Sequence, residues 1–194
     1  SGGLSGSRLG FRGTEDLGNG LKAVFTLEQG FNIDTGTEAA DGSAFQRQAF
    51  VGLAGGFGAV TLGRQYAPGY DFQYDAFASS PILSAQYILS NYESGVTIDA
   101  GTGSRWDNSI AYNGSFSGLK VRAIYAMGGE ENTYGVVDPD TGLVKAMDPS
   151  DDDRFGLGLE YANGPLKVGA VYHYLNDGFN VAGSDDQQEW LVGG

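Results

Sequence analysis

Residues 154–174 read RFGLGLEYANGPLKVGAVYHY. Phe155, Leu157, Leu159 and Tyr161 share one parity, and Arg154, Gly156, Gly158 and Glu160 share the other. After Asn163, Gly164 and Pro165 the pattern resumes, with Leu166, Val168, Ala170, Tyr172 and Tyr174 set against Lys167, Gly169 and His173. A period of two is the strand signature, because successive side chains of an extended chain point to opposite faces. A Gly-containing turn between two such runs marks a hairpin. The stretch therefore reads as two antiparallel strands with one apolar and one polar face.

The same pattern extends outward. In residues 8–15, Leu9 and Phe11 oppose Arg8, Arg12 and Thr14. In residues 21–29, Leu21, Ala23, Phe25 and Leu27 oppose Lys22, Thr26 and Glu28. In residues 119–125, Leu119, Val121, Ala123 and Tyr125 oppose Lys120 and Arg122. Residues 46–53, 59–66 and 105–113 are noisier strands, and residues 188–194 (QEWLVGG) are a further apolar run. Only residues 81–89 offer a helical face, inside a long connection.

The connections alternate in length. Residues 16–20 (DLGNG), 55–58 (GGFG), 114–118 (GSFSG) and 163–165 (NGP) are tight and Gly-rich, as hairpin turns require. Between them lie long connections at 32–45, 67–104, 128–153 and about 177–187. A meander with its long loops all at one end gives this order. Membrane β-barrels have it, with short turns on one side and long loops on the other. A soluble sandwich has no reason for it.

Composition fits a half-apolar strand protein. The 194 residues include 33 Gly, about 17% against roughly 7% in average proteins. Collagen's three-residue period is absent, and 24 aromatic residues argue against a disordered Gly-rich chain. The absence of Cys excludes disulfide scaffolds and thiolate metal sites. A net charge of −13 argues against nucleic-acid binding, which needs a basic footprint. Mean hydropathy is −0.22, and no run approaches the ~18 apolar residues of a membrane helix. None of this excludes a barrel, whose strands are only half apolar.

The charges are segregated. Of 11 basic residues, all but Lys145 fall in expected strands, on the face opposite the apolar residues in the clearest of them. Most of the 24 acids fall in the long loops. A polar inner face and an apolar outer face invert a soluble barrel and match a water-filled barrel in lipid. One-sided solvation of an open sheet gives the same alternation. Loop lengths and charge segregation together favour the barrel.

The stretch SGSRLGFRGTEDLGNGLKAVFTLEQGFNIDTG (5–36) resembles the second and third strands of Gram-negative trimeric general porins, nearest the neisserial and β-proteobacterial branch. RQAFVGLAGGFGAVTLGRQYAP (47–68) resembles the next hairpin of that family and the start of its third loop, and DNSIAYNGSFSGLKV (107–121) the hairpin after it. The resemblance implies an all-β, antiparallel, sixteen-stranded transmembrane barrel. Residues 1–194 would form a partial barrel domain, a fragment of about nine strands from the second to the tenth. It further implies a bacterial outer-membrane location, a homotrimer, contact with lipid and lipopolysaccharide, and no cofactor. The implied function is a general-diffusion porin, a passive channel for small hydrophilic solutes and ions and not an enzyme.

By the same resemblance, residues 67–104 would be the inward-folded constriction loop. A connection this long needs a functional reason or is disordered, and its aromatics, Tyr70, Phe72, Tyr74, Phe77, Tyr87 and Tyr92, favour packing. A basic wall of Arg8, Arg12, Arg47, Arg64 and Arg105 would face loop acids among Asp71, Asp75, Glu93 and Asp99. Residues 32–45 would latch onto a neighbouring subunit. Lys22, Glu28, Lys120, Arg122, Arg154, Lys167 and His173 would be further lumen-facing residues. Clustered guanidiniums stay charged side by side, since their pKa exceeds 12, so a weak anion preference follows.

Other chemistries find little support. His173 is the single His and shares its parity with Lys167, so a wall residue explains it better than a general base. The Ser residues of the long loop lack a G-x-S-x-G elbow. Asp138, Asp140, Asp148, Asp151, Asp152 and Asp153 offer hard oxygen atoms but lack EF-hand spacing, so no metal site is expected. The alternatives are a substrate-specific channel on the same fold, or a surface β-protein for adhesion or carbohydrate binding.

Overall fold

In the computed structural model of the chain, the residues described are 6–39, 44–70, 105–128, 136–137, 144–145, 153–176 and 186–194. The first six strands are β1 (Ser7–Gly18), β2 (Leu21–Phe31), β3 (Gln48–Gly55), β4 (Gly58–Tyr66), β5 (Arg105–Phe116) and β6 (Leu119–Ala126). Two short strands, β7 (Val136–Val137) and β8 (Val144–Lys145), follow within the long connection 128–153 and pair with each other. Then come β9 (Arg154–Asn163), β10 (Leu166–Leu175) and β11 (Gln187–Gly193). The nine long strands form a single sheet in the order β1-β2-β3-β4-β5-β6-β9-β10-β11, every neighbour antiparallel. This is the meander expected from the sequence. Among the described residues, β1 and β11 pair on one side only, so the sheet is not closed. The β7–β8 hairpin is an addition, in a stretch read from sequence as connection alone.

The turns are tighter than their Gly-rich runs suggested. β1 continues to Gly18 and β5 to Phe116, leaving two-residue turns at Asn19–Gly20 and Ser117–Gly118. Both residues of each turn have positive φ: 51° and 77° in the first, 47° and 87° in the second. That backbone twist matches the twist of the flanking strands, and Asn and Gly adopt it most readily.

Register places the apolar residues on one face. Phe25 pairs with Val51, Val51 with Leu62, and Leu62 with Ile110. Further along, Ile110 pairs with Tyr125, Tyr125 with Phe155, and Phe155 with Tyr174. Among the described residues nothing covers these rows: Leu9, Phe11, Val51, Leu62, Trp190 and Val192 are each more than half exposed. A continuous apolar face of this size requires an apolar solvent. The opposite face carries Arg8, Arg12, Lys22, Glu28, Arg122 and Glu160 between small residues.

The packed cluster sits on the polar face. Ala67, Trp106, Ala111, Ile124 and Ala126 bury one another where the chain leaving β4 turns back over the sheet. Pro68 lies against Gly156 and Gly158 of β9, and the Gly69 N–H donates to His173 Nε2 on β10. In a flat sheet, β4 and β10 would be four spacings apart, roughly 19 Å. Three residues of chain reach only about 10 Å. The imidazole closes the remainder because the sheet curls, with its polar face concave.

Candidate functional site

The charged residues gather where the starts of β3 and β5 meet the ends of β2 and β4. On β1, Arg8 and Arg12 flank Gly10, whose partner on β2 is Glu28. Glu28 accepts a hydrogen bond from Arg47 Nε at 2.6 Å, and Arg12 Nη2 stands 4.0 Å from its other oxygen. The Glu28 side chain is 8% exposed and Arg47 15%, so water screens this pair little, whereas Arg12 is 73% exposed. The carboxylate holds Arg47 in place while Arg12 projects into solvent.

Tyr66, the last residue of β4, joins two of the arginines. Its phenol oxygen accepts from Arg47 Nη2 and from Arg105 Nη2, each at 2.8 Å. The Arg105 guanidinium carbon lies 4.5 Å from the Tyr66 ring centre and 5.6 Å from that of Tyr70. The two rings stack in parallel, 4.0 Å apart with 3° between their planes. Arg122 of β6 donates to Asn113 Oδ1 at 2.9 Å and to the Tyr66 carbonyl. Arg47 just before β3, Arg105 of β5 and Arg122 of β6 thus place three guanidiniums around one tyrosine, which Tyr70 backs from the segment after β4.

Arg64 is not part of this cluster. It pairs with Ala49 and shares the parity of Val60 and Leu62, the residues of the apolar face. Its guanidinium lies 2.6 Å from both oxygens of Asp107, and its Nε donates to the Gln46 carbonyl at 2.5 Å. The Leu62 parity was the signal in the sequence. β5 assists with an irregularity opposite Arg64, where Asn108 has φ 47°. That bulge turns Asp107 toward Arg64 and Trp106 to the concave face.

The remaining residues line the concave face away from the cluster. Lys120 reaches Glu160 at 3.9 Å across β6 and β9. Arg154 faces Ala126 in register, and Lys22 and Lys167 are exposed near the short turns. The β3–β4 turn, Pro68, Asn113, Lys120, Arg122 and Glu160 bound a cavity of about 590 Å³. His173 is wholly buried, edge-on to Trp106 at 5.1 Å. It is a wall residue that supports the chain leaving β4. Asp71, Asp75, Glu93 and Asp99 lie outside the described residues.

Among the described residues, no group of three or more His, Cys, Asp or Glu is placed to hold a metal ion. Asp153 accepts hydrogen bonds from the Gly128 N–H at 2.8 Å and from the Tyr125 hydroxyl, which joins the two ends of the 128–153 connection. The sequence reading missed Tyr66 and Tyr70 as site residues. Their four-residue spacing around Pro68 and Gly69 is a weak signal, and the arginines they meet are distant in sequence.

Comparison with known proteins agrees with this geometry. A sequence profile described as Gram-negative porin matches residues 1–194. An outer membrane porin protein of Bordetella pertussis is 36% identical over 183 residues, covering 92% of this chain and 44% of the relative. The major outer membrane protein P.IB of Neisseria gonorrhoeae is 52% identical over 63 residues, covering 32% of this chain and 17% of its own. Among solved structures, an anion-selective porin from Comamonas acidovorans superposes with a TM-score of 0.65 at 32% identity, covering 90% of this chain and 49% of that one. This chain spans about half the length of the full-length relatives it matches. The apolar outer face, the concave charged face and the matching profile have one reading: the chain belongs to the Gram-negative porin family of the outer membrane.

Proposed function

We propose that the whole protein is a general-diffusion porin that passes small hydrophilic solutes and ions without chemistry and prefers anions weakly. The observation that carries this is the convergence of Arg47 and Arg105 on Tyr66, with Arg12 beside them, on the concave face. Arg12 and Arg47 share the carboxylate of Glu28, two cations to one anion. The wall thereby carries net positive charge at this point. Guanidiniums do not shed protons at any physiological pH, so the field persists. Beyond about 8 Å, salt screens the acidic outer loops, whereas the arginines act at contact range.

In this reading, residues 67–104 fold over the concave face as the constriction loop. The turn of Ala67, Pro68 and Gly69 onto β9 and β10 supports it. Their acids Asp71, Asp75, Glu93 and Asp99 would face the arginine wall and create a transverse field that disfavours apolar solutes. The working unit is a homotrimer in contact with lipid and lipopolysaccharide.

Conductance of the full-length protein in planar bilayers tests the proposal. A KCl gradient should give a reversal potential of the sign for chloride preference. Replacing Arg8, Arg12 and Arg47 together with Ala should move it toward cations. A cation preference in the unmodified protein would overturn the anion reading, and the absence of stepwise conductance would overturn the channel.

A further inference from the structure

Arg47 and Arg105 both donate to the single phenol oxygen of Tyr66. Two guanidiniums this close repel each other, and neither can relieve the repulsion by losing a proton. Something must hold them together. A carboxylate would do so and cancel charge. Glu28 does this for Arg47 on its Nε side, whereas the phenol oxygen of Tyr66 is a neutral acceptor, so it joins the two cations without cancelling any more of their charge.

Tyr66 is itself immobilised. It is 8% exposed, its ring lies flat against Tyr70 at 4.0 Å, and the two hydroxyls are in hydrogen-bonding reach. The Arg105 guanidinium sits over the Tyr66 ring, where the π face attracts a cation without neutralising it. Tyr66 closes β4, whereas Tyr70 belongs to the segment folded over the concave face. The tyrosine pair therefore ties the arginines of the wall to that segment.

We propose that Tyr66 is a positioning residue for ion selectivity. Its phenol oxygen sets the spacing and aim of Arg47 and Arg105 without reducing their charge, and Tyr70 backs the ring. This rests on the channel reading above, and it concerns a residue that touches no permeating ion itself.

The experiment is the KCl reversal potential of full-length Tyr66→Phe in planar bilayers, read as the change in chloride-to-potassium permeability ratio from the unmodified protein. The substitution removes one oxygen and keeps the ring, the stack and the cation–π contact. The ratio should fall roughly two- to tenfold, the scale of losing one or two ordinary hydrogen bonds. In an Arg47→Ala, Arg105→Ala background, Tyr66→Phe should change nothing further. A single variant that folds and keeps the ratio overturns the proposal, as does an equal fall in the double-alanine background. If Tyr66→Phe does not fold, Tyr70→Leu is measured instead, with a smaller fall expected and no fall overturning the proposal. The sign of the unmodified protein's own potential judges the anion reading separately, since the proposal concerns only the change.

Discussion

The backbone N–H of Gly69 donates to Nε2 of His173 at 3.1 Å, across 104 positions of sequence. Because Nε2 accepts, the proton of the neutral imidazole sits on Nδ1, 3.6 Å from a Glu189 carboxylate oxygen. The ring is wholly buried and meets the edge of Trp106. Removing it strands a buried backbone donor. His173→Ala in the full-length protein should therefore lose about 1–3 kcal/mol from the stranded N–H, with a cavity loss in addition. Urea unfolding in detergent micelles measures this, and an unchanged midpoint would mean that the contact contributes nothing.

Gly156 is the seat of that same segment. A Cβ added there would stand 2.9 Å from Pro68 Cδ and 3.0 Å from both Ile124 Cγ2 and Trp106 Cη2. Gly156→Val should push Pro68 off the wall at a cost of about 1–3 kcal/mol. Single-channel conductance should change along with the unfolding midpoint. A normal conductance with normal stability would show that the residues after β4 do not rest on this glycine.

Glu28 offsets one positive charge inside the cluster. Glu28→Gln keeps an acceptor for Arg47 Nε and removes the negative charge that Arg12 and Arg47 share. The reversal potential should move further toward chloride, while stability drops by about 1–3 kcal/mol because a charged hydrogen bond becomes a neutral one. A shift toward potassium would contradict the placement of these arginines on the lumen.

Arg64 gives the opposite expectation. It pairs with an Asp107 whose side chain is 63% exposed, on the apolar side of the sheet. Arg64→Ala should leave the permeability ratio unchanged and cost about 0–1 kcal/mol, as exposed ion pairs do. A selectivity change comparable to that of Arg47→Ala would place Arg64 back on the conducting side.

How much of this was legible in sequence depends on how local each feature is. β9 and β10 were plain, because Phe155 to Tyr161 and Leu166 to Tyr174 alternate without interruption. β3 and β5 were noisier for physical reasons. Phe50 pairs with Thr26 on the concave side, which breaks the apolar alternation. Trp106 reaches that side only through the bulge at Asp107 and Asn108. Arg64 followed the family resemblance instead of its own parity. The Tyr66 junction was invisible because Arg47, Tyr66 and Arg105 are brought together by strand pairing, which no single segment encodes. The burial of His173 likewise depends on Pro68 and Gly69 arriving from another part of the chain.

The bulge in β5 has a consequence for how such a protein can change over generations. Substitutions at Asn108 would leave the strand's count intact. Deleting that one codon would restore a regular ladder with β4 and leave the rest of β5 in its present register, with Asp107 opposite Arg64, Trp106 opposite Gln65 and Arg105 opposite Tyr66. The outward row from Ile110 onward would be untouched as well. A straight strand that kept all its residues would instead invert everything before Asn108, turning Asp107 inward and Trp106 toward the apolar face. The bulge therefore makes Asn108 a place in β5 where the loss of one residue is absorbed without moving the wall.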